Sequence, residues 1–89
     1  MFVAGAVWES SRVLATEDVR LAGDDELLAG VLAVQRAESL LAAAKGHLLA
    51  ELDARGVCDA EFGLGTAAWV AREAGTSGAA VRRDLLLAR

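Results

Sequence analysis

Between Gly23 and Gly56 the apolar side chains recur at Leu27, Val31, Val34, Leu41, Leu48 and Leu52, spaced by three, four or seven positions. That spacing lines one face of an α-helix, and Leu28, Leu32, Leu40 and Leu49 widen the stripe. Asp24, Asp25 and Glu26 place carboxylates in a first turn whose backbone N–H groups lack partners. Gly23 is an acceptable N-cap, and Glu26 then stands at N3, half of a capping box. Arg55 and Gly56 give the opposite end, glycine being the residue that most readily adopts the left-handed C′ conformation. A helix over 23–56 is expected, roughly 45–50 Å long at 1.5 Å per residue. Glu38 and Lys45 interrupt its narrow seam, while Gly30 and Gly46 each cost about 1 kcal/mol relative to alanine. The expectation is a long helix packed against several shorter ones rather than a strict coiled coil, with a bend near Gly46.

Shorter elements flank it. Residues 1–22 read as a docking segment, either a helix with Phe2, Ala6 and Val13 on one face or a stretch loosely ordered until it docks, with Trp8 as its anchor on the long helix. Thr16, followed by Glu17 and Asp18, reads as an N-cap for a turn through Val19–Ala22. Residues 57–65 read as a loop punctuated by Gly63 and Gly65, with Phe62 and Leu64 tucked inward. Thr66 is expected to cap a short helix with Val70 and Ala74 facing in and Trp69 beside them; Gly75 stops it. Ser77 then caps a last helix, whose Val81, Leu85 and Ala88 share one face. Leu86 and Leu87 point away from that face, so the helix is expected to meet a partner: downstream chain, a second copy or another protein. The fold class is therefore all-α: a long central helix, short helices and a helix-turn-helix-like hairpin over 66–89. The helical domain spans 23–89 and is expected to be incomplete at its C-terminal end.

Composition narrows the chemistry. The 89 residues suffice for one domain with a modest core. Residues 1–65 carry five basic and eleven acidic side chains, net −6, whereas 66–89 carry four basic and two acidic, net +2. Such an acidic body weighs against a strong nucleic-acid binder, whose affinity grows with the phosphates it neutralises. The single cysteine, Cys58, excludes an internal disulfide and reads as a small buried or half-buried side chain, with a reactive thiol as the minor alternative. His47 has no Cys, His or carboxylate at ligand spacing, so no metal site is expected. The hydroxyls of Ser10, Ser11, Thr66 and Ser77 have no histidine or lysine placed as a base, and no phosphate-binding glycine loop is present. Neither a catalytic residue nor a cofactor is assigned. Arg36, Glu38 and Lys45 argue against a membrane span, and MFVAGAVW lacks the basic start of a signal peptide. A cytoplasmic location is expected.

The hairpin carries the one candidate for recognition. Ala71 is small where two helices would cross, Gly75 makes the turn and Ser77 opens the second helix. Gly78 and Ala79 offer nothing to a base edge. Arg82 and Arg83, with Ser77, are the residues able to reach phosphate or guanine. Their bland alternative is a solvated helix face.

LLAELDARG (48–56) followed by GTAAWVAREAGTSGAAVRRDLLLAR (65–89), with DDELLAG upstream, resembles a known pattern. It is similar to the helical N-terminal domain of unknown function of actinobacterial HNH endonuclease-type proteins, including the mycobacterial repeat-family proteins. The match covers roughly 18–89 and rests on Leu48 to Gly56, Thr66 to Trp69, Gly75, Ser77, Arg82, Arg83 and Leu87 to Arg89. Two departures stand out. The last helix has Gly78, Ala79 and Asp84 where that family has basic or polar residues. The family's ββα-metal nuclease needs histidines and usually an asparagine, whereas this sequence has one histidine and no asparagine. The resemblance thus implies a truncated member ending before the nuclease, with no nuclease activity of its own. Two functions follow as expectations. The first is a non-catalytic module assisting DNA binding through Ser77, Arg82 and Arg83. The alternative is protein–protein interaction or self-association through Leu86, Leu87 and the long helix.

Overall fold

A computed structural model describes residues 4–88, and these form five helices and no strand. They are α1 (Ala4–Thr16), α2 (Asp24–Ala54), α3 (Val57–Phe62), α4 (Thr66–Ala74) and α5 (Gly78–Ala88). The class is all-α with a long central helix and several short ones. The expectations for Phe2 and Arg89 lie outside the described residues. The chain divides into two units, 1–33 and 34–89, with the boundary inside α2.

The first unit has no core among its described residues. Ala22 is half-buried and every other position from 4 to 33 is exposed. Trp8 is 71% exposed, so the docked anchor expected from the sequence is not what this helix presents. Thr16 does not open the following turn either. Its hydroxyl donates back to the carbonyls of Arg12 (3.0 Å) and Val13 (3.3 Å), closing α1 from behind, a local bond that threonine readily makes. Asp18 holds the turn instead: its carboxylate accepts from the Arg20 backbone N–H at 3.1 Å and from the Arg20 guanidinium at 3.0 and 2.9 Å. Those bonds hold the exposed Asp18 carboxyl below the usual carboxylate range. The Leu27 N–H bonds the Gly23 carbonyl at 3.0 Å, and the three acids occupy the first turn of α2.

The second unit holds the core. Leu49 of α2, Ala71 of α4 and Val81 and Leu85 of α5 are buried together, with Ala67 and Val70 packed against them. Ala74, expected inside, is exposed because α4 turns Ala67, Val70 and Ala71 inward and Ala74 is its last residue. Two left-handed glycines re-aim the chain around this core. Gly56 (φ 63°) follows α2, and Gly75 (φ 69°) ends α4 with its N–H on the Ala71 carbonyl. The Thr76 N–H shares that carbonyl at 3.0 Å, so the turn between α4 and α5 is locked by backbone alone.

The expected loop over 57–65 contains a helix. Once Gly56 has turned, the Ala60 N–H reaches the Gly56 carbonyl at 3.1 Å, and α3 continues until Gly63 (φ 67°) closes it on Asp59. This short helix buries Cys58 to 1% exposure and packs against α4. Phe62 remains exposed, yet its ring stacks on Trp69 with centroids 5.3 Å apart and planes 15° from parallel. Thr66 is the first residue of α4, not its cap; Gly65 precedes it in an extended conformation. The buried Thr66 hydroxyl donates to Asp53 Oδ1 at 3.0 Å, tying α4 to the end of α2.

Candidate interaction surface

Ser77, Arg82 and Arg83 fall where a recognition helix would begin, but they are not equally available. The Ser77 hydroxyl oxygen accepts from the backbone N–H groups of Ala79 (3.1 Å) and Ala80 (3.3 Å), the geometry of an N-cap. That role fixes the start of α5 and commits the oxygen to its own backbone. Arg82 is exposed and lies back along the helix: a Cβ placed on Gly78 would stand 3.4 Å from its Nη1. Arg83 is exposed on the next position, and neither arginine has an ion pair among the described residues. The nearest acidic residue in sequence, Asp84, is engaged elsewhere, with Lys45 Nζ of α2 at 2.8 Å.

That ion pair belongs to the crossing of α2 and α5, which Gly46 makes close. A Cβ on Gly46 would meet the Ala88 Cβ at 3.3 Å, tighter than most real contacts. The glycine that merely weakens a helix in the sequence here admits the end of α5. Beside the crossing lies a groove of about 350 Å³ lined by Ala42, Ala43, His47 and Leu87. Leu86 and Leu87 are exposed, Leu87 to 81%.

Most of the α2 stripe is uncovered as well. Leu49 is 5% exposed and Leu52 is half-buried, while Leu27, Leu28, Val31, Leu32, Val34, Leu40, Leu41 and Leu48 are all exposed. The core expected along the whole helix is thus limited to its C-terminal end, where α4 and α5 reach it. By length and composition α2 would also suffice to cross a membrane, with a mean hydropathy of 1.4 over its most apolar 18 residues, none of them buried.

No cluster of three or more His, Cys, Asp or Glu able to hold a metal occurs among the described residues. The chain matches no model of a protein family, no curated protein and no solved structure. What the geometry defines, among the described residues, is a helical chain with a modest core in its second unit and many exposed leucines and valines.

Proposed function

We propose that this chain is a non-catalytic, cytoplasmic helical module that works by protein–protein association. The observation that carries the reading is the number of exposed leucines and valines on α2, from Leu27 to Leu48, with Leu86 and Leu87 exposed on α5. Large apolar side chains left open in such number on a small protein mark an interaction site. The Asp24–Asp25–Glu26 cluster at one end of α2 and Arg36 and Glu38 within it suit a protein interface better than a bilayer. In a bilayer each mid-helix charge costs about 2.5–3.5 kcal/mol.

A second reading keeps DNA as the partner, with Arg82 and Arg83 on phosphate or guanine; their exposure and lack of ion-pair partners among the described residues favour it. The resemblance to the N-terminal domain of HNH endonuclease-type proteins accommodates both. Under it, the chain is the helical part of such a protein and helps its parent hold DNA or a neighbouring subunit.

Sedimentation velocity of the full chain, with and without a short duplex at low and high salt, separates them. Association that is indifferent to DNA and to salt supports the proposal. A monomer that sediments with the duplex at low salt and is released at high salt replaces it with the DNA reading.

A further inference from the structure

We draw no further inference here: the strongest candidate, the groove beside the crossing of α2 and α5 lined by Ala42, Ala43, His47 and Leu87, is an apolar face on which nothing in the structure shows what covers it.

Discussion

The two ends of α2 carry the same kinds of residue and meet different fates. At the C-terminal end Leu49 is 5% exposed, because α4 and α5 return to it through Ala71, Val81 and Leu85. Toward the N-terminal end Val31 is 69% exposed, though it stands on the same apolar stripe. The difference lies in what the rest of the chain can reach, not in the helix. Small side chains at Gly46, Ala71 and Ala88 let the hairpin approach one end closely. Within the first unit every residue of α2 is exposed. Helical periodicity therefore tells which side of a helix is apolar, while coverage is a separate, tertiary fact.

The contrast is broken most directly by truncating matched leucines at the two ends. Leu49→Ala should cost about 3 kcal/mol, the usual loss for a buried leucine, whereas Leu32→Ala, outside the core, should change stability by less than about 0.5 kcal/mol. Urea unfolding of both variants checks this; equal costs would mean that the two ends are equally packed. Trp69→Ala should cost about 2 kcal/mol, less than a fully buried tryptophan, because half-burial and the stack on Phe62 are what it loses. An unchanged midpoint would remove α3 from the packed unit. Gly56→Val should cost about 1–2 kcal/mol, since a β-branched side chain resists the φ of +63° there. A neutral result would place the end of α2 elsewhere.

The smallest effect belongs to the first unit. Arg20 depresses the Asp18 carboxyl, so this bond stabilises the turn fully above the ordinary aspartate range and is lost as pH falls through the lowered value. Carboxyl titration by NMR should place Asp18 below an exposed aspartate that lacks such a partner. Arg20→Ala should abolish the difference while leaving α4 and α5 unaffected.

Local chemistry was legible in the sequence. Gly56 announced a left-handed turn, Gly75 a helix stop and Ser77 a cap, because each acts on backbone within a few residues. The exposure of Leu86 and Leu87 followed from helical spacing alone. What escaped depended on distance along the chain. The Thr66 hydroxyl looked like a cap because its acceptor, Asp53, lies thirteen residues away. Gly46 looked like a weak point because Ala88 was not yet beside it. α3 was hidden between Gly56 and Gly63, whose turn signals outweighed six residues of helix. For the recognition candidates, position in the hairpin was legible for Ser77, Arg82 and Arg83. The Ser77 oxygen accepts from Ala79 and Ala80 and so caps α5, as its place before that helix suggested.

Amide hydrogen exchange along α2, followed as a function of protein concentration, tests the central claim most directly. Amides from Leu49 onward should be protected at every concentration, since their partners lie within the chain. Those from Leu27 to Leu41 should exchange quickly in dilute solution and become protected as the chain associates. Protection there that never changes as the chain associates would contradict association through the exposed leucines and valines of α2.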